Sequence, residues 1–252
     1  MTNKIALITG ATSGIGYATA EVLADMGINL IICGRRVERL NELRDKLSPK
    51  VKILTLVFEV RDKESVFHTL GNLPAEWQNI DILVNNAGNA HGLDMIQDGH
   101  LEDWEAMIDI NVKGLLYVSK ALIPRMIERK SGHIINIGSL AGKEVYPKGN
   151  VYCASKHAVD ALNQGMRMDL YSHNIKVSGI HPGLVETEFS LVRFKGDSEK
   201  AKKVYEGLEA LTARDIAEII GFVVSRPPHV NIADMLILPV AQASSWLVNR
   251  EG

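Results

Sequence analysis

Tyr152 and Lys156 stand four residues apart in a stretch, residues 150–173, whose pattern is helical. Residues at that spacing share a helix face, so a phenol and an ammonium can point into one site. A cation beside a phenol favours the phenolate and lowers a pKa that starts at about 10. A tyrosine tuned in this way exchanges a proton with an alcohol or a carbonyl near neutral pH. Ser139 follows directly on the apolar run Gly132-His-Ile-Ile-Asn-Ile-Gly138, which reads as a buried parallel strand. From the end of that strand its hydroxyl can hydrogen-bond the same substrate oxygen. The three side chains suit alcohol–carbonyl interconversion. Taken alone, Tyr-x-x-x-Lys carries little weight, because surface tyrosines and lysines fall at that spacing in many helices.

The beginning of the chain adds to it. After a first short apolar strand comes Thr9-Gly10-Ala11-Thr12-Ser13-Gly14-Ile15-Gly16, followed by a helical pattern. Glycines there permit a tight turn and let backbone N–H groups approach a pyrophosphate at a helix N-terminus. The spacing is Gly-x-x-x-Gly-x-Gly and not the Gly-x-Gly-x-x-Gly of the dinucleotide fingerprint, and a purely structural turn would look the same. The lysine of a P-loop is missing, so hydrolysis of a nucleoside triphosphate is not expected. About 20 residues further on, the end of the second strand normally carries an acid for the ribose hydroxyl of NAD. Here the chain reads Cys33-Gly34-Arg35-Arg36. Two adjacent guanidiniums suit the extra 2′-phosphate of NADP. The competing reading is the start of a solvated helix, since Glu38, Arg39, Glu42 and Arg44 follow.

These residues need a scaffold, and strand-like and helix-like patterns alternate along the whole chain. Strands are expected at residues 5–9, 28–33, 51–57, 80–84, 132–138, 175–180 and 235–238. Helices are expected at 15–26, 37–47, 62–71, 101–129, 150–173 and 212–225. Continuous apolar strands between amphipathic helices imply a parallel sheet covered on both faces. Residues 186–209 are polar, charged and poorly patterned, and read as a lid over the C-terminal edge of the sheet, where open α/β sheets bind ligands. One domain, residues 1–252, is the simplest organisation.

Composition narrows the partners. Lys and Arg number 28 against 30 Asp and Glu, so no general attraction to nucleic acid or anionic membrane is implied. The two cysteines, Cys33 and Cys153, make no metal-ligand spacing and fit a reduced compartment. No apolar run approaches the roughly 18 residues of a membrane span, and the opening residues run straight into a strand, leaving no room for a signal peptide. A soluble, cytoplasmic protein without a metal site is expected.

Residues 9–16, Asn85-Asn86-Ala87-Gly88, Asn111, Ser139, Tyr152-x-x-x-Lys156 and Pro182-Gly183 together resemble the short-chain dehydrogenase/reductase family, in its order and over nearly the whole chain. The resemblance implies an α/β Rossmann fold with a seven-stranded parallel sheet, a nicotinamide cofactor and a homotetramer. It divides the domain into a cofactor half, about residues 1–130, and a catalytic and substrate half, about 131–252. In it Ser139 orients the substrate oxygen and Tyr152 is the acid/base. Lys156 holds the nicotinamide ribose and acidifies Tyr152, and Asn111 supports a water in the proton relay. Gly10, Thr12, Ser13, Gly14, Ile15, Gly16, Arg35, Arg36, Glu59, Val60, Asn86, Ala87, Gly88, Tyr152 and Lys156 would contact the cofactor, with Pro182, Gly183, Val185 and Thr187 flanking its nicotinamide. Where the family usually has Asp-Val near the adenine this chain has Glu59-Val60, which puts a side-chain contact there in doubt.

A narrower resemblance comes from residues 188–197, Val204-Tyr205, residues 238–244, Pro74-Ala-Glu-Trp77 and Gly149-Asn-Val-Tyr152. These are similar to the NADP-dependent 3-hydroxy acid dehydrogenases, also called serine or allo-threonine dehydrogenases, some of which run as malonic semialdehyde reductases. Such substrates, serine, allo-threonine or 3-hydroxypropionate among them, carry a carboxylate that calls for a cation. Arg193 is preferred to Lys195 because its planar fork pairs a carboxylate bidentately; a tie from Arg193 to Asp197 or to a neighbouring subunit is the alternative. Two other functions stay open: a broad-specificity NADPH reductase of ketones or pterin side chains, and a non-catalytic NADP-binding regulator. His181 reads as packed or cofactor-adjacent, His91 and His100 as loop residues, Trp77, Trp104 and Trp246 as packing, and Cys153 as turned into the core.

Overall fold

The computed structural model describes residues 4–250. The opening Met1-Thr2-Asn3, and the last two residues of the expected domain, lie outside them. Seven strands form one parallel sheet: β1 (Ile5–Thr9), β2 (Asn29–Gly34), β3 (Ile53–Val57), β4 (Ile82–Asn85), β5 (Gly132–Ile137), β6 (Ile175–Pro182) and β9 (Asp234–Ile237). Their order is β3-β2-β1-β4-β5-β6-β9. Each strand is an uninterrupted apolar run because both faces are buried. Leu7 of β1 packs with α3 (Lys63–Gly71), α5 (Leu115–Arg129) and α6 (Asn150–Leu170), through Val66, Val118, Leu122 and Val159. Its neighbours Ala6 and Ile8 pack on the other face with α1 (Gly14–Asp25), α2 (Val37–Leu47) and α9 (Ala213–Val224), through Leu23, Leu40 and Ile216. The period-two alternation of a strand sends successive apolar side chains into the two layers.

Local signals explain several helix starts. Asp62 accepts from the backbone N–H of Ser65 at 3.1 Å and caps α3. Thr212 and Asp215 form a reciprocal capping box that starts α9. The third sheet strand begins two residues later than expected and the fourth runs from Ile82 rather than from residue 80. The helix expected over 150–173 is α6 followed by a 3₁₀ turn, Tyr171–His173, which ends at Asn174 in the left-handed region.

One expected helix is broken in an informative place. Residues 101–129 form α4 (Leu101–Ile108), a π-helical turn (Asp109–Gly114) and α5. A π turn inserts one extra residue into a helix and re-aims the side chains that follow, and such turns gather at functional sites. Asn111 lies within it. The stretch expected as a lid is also partly ordered. β7 (Val185–Glu186) pairs with β8 (Leu211–Thr212), and between them run α7 (Phe189–Arg193) and α8 (Ser198–Lys203). No helix among the described residues is long and apolar enough to cross a membrane.

The strand order reverses between β1 and β4, so the loops after these two strands diverge and leave a crevice at the C-terminal edge of the sheet. The turns that follow β1, β2, β4, β5 and β6 all open onto it.

Candidate active site

Gly10 and Gly14 both have positive φ, +67° and +54°, which L side chains adopt only at a cost. That conformation curls the turn after β1 beneath the N-terminus of α1. Asn86, just past β4, holds the turn: its Nδ2 donates to the carbonyl oxygens of Thr9 at 2.9 Å and Gly10 at 3.2 Å. The Thr9 hydroxyl in return accepts from the N–H groups of Asn86 and Ala87, at 3.1 and 3.0 Å. The two loops that border the crevice are therefore one hydrogen-bonded unit. Gly16 does not line the crevice. A side chain at that position would collide with Asn86 and the Gly10 carbonyl, so its role is close packing of helix against turn.

The crevice is a cleft of about 600 Å³. Of the residues expected at a cofactor, Gly10, Thr12, Ser13, Gly14, Ile15, Arg35, Arg36, Glu59, Val60, Asn86, Ala87 and Gly88 line its first part, and Ser139, Tyr152, Lys156, Pro182, Gly183, Val185 and Thr187 line its inner end. Among the linings not anticipated are Asn89 and His91 beyond β4, and Phe189 and Val192 from α7. Nothing in their residue types announces such a role. The lid's fold alone brings the two apolar ones over the cleft.

At the inner end, Ser139 is the N-cap of a 3₁₀ turn, and its Oγ accepts from the N–H of Ala141 at 3.1 Å. Tyr152 and Lys156 lie on the first turns of α6, as their spacing predicts, and both are buried. Lys156 Nζ donates to the Ile137 carbonyl at 2.9 Å. Burial pushes the Lys156 pKa down to about 8. Burial also raises the Tyr152 pKa above the usual phenol range; the Arg193 charge and a hydrogen bond from Ser139 pull it back only in part. This corrects the expectation of a phenol lowered by Lys156. In this protein desolvation is the larger effect, and the cation facing the ring is Arg193, whose Cζ lies 4.9 Å from the Tyr152 centroid.

Asn111 does not line the cleft either. Its Oδ1 accepts from the N–H of Asn89 at 2.8 Å, and its Nδ2 donates to the Asn89 carbonyl at 2.9 Å and to Ser155 Oγ at 3.0 Å. The side chain clamps the β4 loop to α6, which fixes Lys156 relative to Gly88.

Arg193 lies beside the cleft and not in its lining. Its NH2 donates to Tyr146 Oη at 2.6 Å, while its buried Nε has no hydrogen-bond partner. The expected alternative, a tie to Asp197, is not made: Asp197 pairs with Lys200 at 3.1 Å. Lys195, the second choice as a carboxylate partner, pairs with Asp103 at 2.9 Å.

Arg35 and Arg36 point into the outer cleft, each with a carboxylate. Arg35 meets Glu59 at 3.2 Å, and Glu59 also meets Arg61 at 2.7 Å. The Glu59 side chain is thus committed to arginines. Arg36 meets Glu188 at 2.9 Å, and Arg39 meets the other oxygen of Glu188 at 2.7 Å. Arg39 and Glu188 were missed as site residues; Arg39 lies in the first turn of α2, three residues after Arg36 at its N-cap, a proximity that was legible.

Behind the site, His181 is buried with its Nε2 at 3.6 Å from Asp160 and 3.5 Å from Asp234. Lys143 Nζ stands between the same carboxylates at 2.8 and 2.5 Å, so an ammonium already supplies the positive charge there. Cys153 is buried as expected, and burial raises its thiol pKa. Trp77 packs in the core, but Trp246 is 71% exposed and does not.

Residues 4–197 match the family model described as short chain dehydrogenase. The chain belongs to the short-chain dehydrogenase family. Its enzymes are oxidoreductases, and this one carries the family's seven-stranded parallel sheet. It is 48% identical over 244 residues to the NADP-dependent 3-hydroxy acid dehydrogenase YdfG of Salmonella typhi, covering 96% of this chain and 98% of that protein. It is 43% identical over 251 residues to sulfoacetaldehyde reductase 2 of Chromohalobacter salexigens, covering 99% of this chain and 100% of the relative. Among solved structures, the closed form of a serine dehydrogenase complexed with NADP+ superposes with a TM-score of 0.92 at 47% identity, covering 98% of this chain and 100% of that one.

Proposed function

We propose that this short-chain dehydrogenase transfers a hydride between NADP(H) and a small 3-hydroxy acid, with Tyr152 as acid/base. The residues present fit the cofactor. The positive-φ glycine turn leaves room for a pyrophosphate at the start of α1, and Arg35 and Arg36 offer guanidiniums where a 2′-phosphate would lie. A nicotinamide bound at the inner end supplies the hydride acceptor or donor. In oxidation the Tyr152 phenolate takes the hydroxyl proton; in reduction the phenol returns it. Ser139 holds the reacting oxygen. Lys156, with a pKa near 8, can keep a proton at neutral pH and hold the nicotinamide ribose, while Arg193 offsets part of the cost of the Tyr152 phenolate. Asn111 keeps the loop and helix in register. The cofactor half and the catalytic half of the domain meet at this cleft, and we place the enzyme in the cytoplasm as a homotetramer.

The observation that carries the substrate class is Arg193. It faces the Tyr152 ring, makes no ion pair among the described residues and leaves a buried Nε unpartnered. An anionic group one carbon away from the reacting centre would complete it. A 3-hydroxy acid has that spacing, and so does sulfoacetaldehyde, the substrate named for one relative.

Absorbance of the reduced nicotinamide tests the reading. NADP and NAD would be offered with serine, allo-threonine, 3-hydroxypropionate and a neutral cyclic alcohol. Reduction of NADP with the acids is expected. Arg193→Gln should raise the KM of the acids about tenfold to a hundredfold, as for loss of a charge-assisted hydrogen bond, with the KM of the neutral alcohol little changed. An equal rise in both KM values would remove the carboxylate role and leave a general carbonyl reductase.

A further inference from the structure

Glu188 stands where nothing in the cofactor or substrate chemistry requires an acid. Its two carboxylate oxygens go to two different guanidiniums, Arg36 NH1 at 2.9 Å and Arg39 NH1 at 2.7 Å. That is the arrangement a phosphate monoester would adopt against the same pair. Arg36 is held on its other edge as well: Nε and NH2 donate to Thr12 Oγ1 at 3.1 and 2.8 Å, and NH2 donates to Ser13 Oγ at 2.8 Å. The glycine-turn hydroxyls therefore keep the guanidinium in place whatever binds its NH1.

Glu188 is also the residue immediately before α7, and Thr187 Oγ1 accepts from the N–H of Phe189 at 3.2 Å. Its tie to Arg36 and Arg39 thus pins the start of the lid, which carries Phe189 and Val192 over the cleft and Arg193 beside Tyr152. The tie is replaceable. All three side chains are about 40% exposed, and ion pairs so open to water are individually weak. Burial alone would raise the Glu188 pKa, but hydrogen bonds from Arg36 and Arg39 hold it below the usual range, so the group is an anion at neutral pH. A phosphate ester brings close to two negative charges and three acceptor oxygens. The ribose hydroxyl of NAD brings no charge.

We propose that Glu188 is a positioning residue for the lid: an internal anion on the Arg36–Arg39 pair that the cofactor's 2′-phosphate displaces, so that the phosphorylated cofactor, and not its unphosphorylated counterpart, releases α7. The proposal rests on the NADP reading above. Glu188 weakens phosphate binding by competing for the arginines, and in exchange links the outer end of the cleft to the lid at the inner end.

Calorimetric titration with adenosine 2′,5′-bisphosphate and with adenosine 5′-monophosphate tests it, without turnover. The wild type should prefer the bisphosphate. In Glu188→Gln the bisphosphate should bind about fivefold to tenfold more tightly, as for removal of one partly exposed competing ion pair, while the monophosphate should change by less than about twofold. Amide hydrogen exchange supplies the second readout. The bisphosphate should speed exchange in residues 189–193 of the wild type; in Glu188→Gln, and in Arg39→Gln, those amides should exchange faster before any ligand is added. Unchanged or weaker bisphosphate binding in Glu188→Gln, with the wild-type preference intact, would mean that Glu188 only arrays the arginines and would overturn the proposal while sparing the NADP reading. A wild type that does not distinguish the two nucleotides would overturn both.

Discussion

The floor of the cleft and its lid are held by different physics. On the floor, the glycine turn, the β4 loop and the start of α6 are joined by buried and part-buried hydrogen bonds, among them Asn86 to Thr9 and Gly10, Asn111 to Asn89, and Lys156 to Ile137. Buried donors and acceptors are costly to leave unpaired, so these parts hold one geometry. The lid, from β7 to β8, is held by half-exposed ion pairs such as Glu188 with Arg36 and Lys195 with Asp103. Those contacts are cheap to exchange for other anions and cations. In the proposed mechanism proton transfer is built on the rigid region, and recognition of charge on the replaceable one.

The sharpest test of that contrast is Tyr152→Phe. Removing the proposed proton carrier should lower kcat about a hundredfold to ten-thousandfold with near-unchanged circular dichroism; turnover close to wild type would show that the floor does not carry the chemistry.

Lys156→Met tests whether the floor stores strain. Folding lowers the Lys156 pKa from 10.5 to about 8. Between those values the unfolded chain binds the extra proton, so native stability rises with pH across that window, and the burial penalty is fully present below pH 8. The variant should lose activity yet be more stable at pH 7, by on the order of 2 kcal/mol after allowing for the lost bond to Ile137. That gain should shrink as the pH rises toward 10. Denaturant melts at the two pH values measure it, and a gain independent of pH would break the link to titration.

Arg193→Gln probes the lid's influence on the floor. Burial raises the Tyr152 pKa and Arg193 opposes it, so the alkaline rise of the oxidation rate should move to higher pH, by about half to one pH unit. An unmoved pH profile would confine Arg193 to substrate binding. The smallest effect is expected for Lys195→Ala, whose partner Asp103 remains mostly covered but whose ammonium is 59% exposed. Its stability should change by less than about 0.5 kcal/mol, and a larger loss in a thermal melt would mean the lid is more firmly built than its exposure implies.

The readings that succeeded from sequence were local or repetitive. Tyr152 and Lys156 share a face because a helix repeats every 3.6 residues, and the glycine turn needs conformations that few other residues adopt. Where distant segments compete, residue types were silent. Nothing in the 101–129 pattern marks the π turn that aims Asn111, and nothing in Glu188 itself shows that it will meet Arg36, 152 residues away in the chain. The direction of the Tyr152 pKa was misjudged for the same reason: the neighbouring cation was visible at a spacing of four, but the depth of burial was not.

By itself the sequence determined the alternation of strands and helices, the seven-stranded parallel sheet, the tight glycine turn after β1 and which residues, Ser139, Tyr152 and Lys156, to propose as the catalytic set. Periodicity and backbone stereochemistry are properties of neighbouring residues and are written along the chain. Only the tertiary structure decided which cation faces Tyr152, which carboxylate occupies Arg36, and that Gly16, Asn111 and Arg193 stand behind or beside the cleft. Electrostatic partners and desolvation depend on distance through space, and the fold sets those distances.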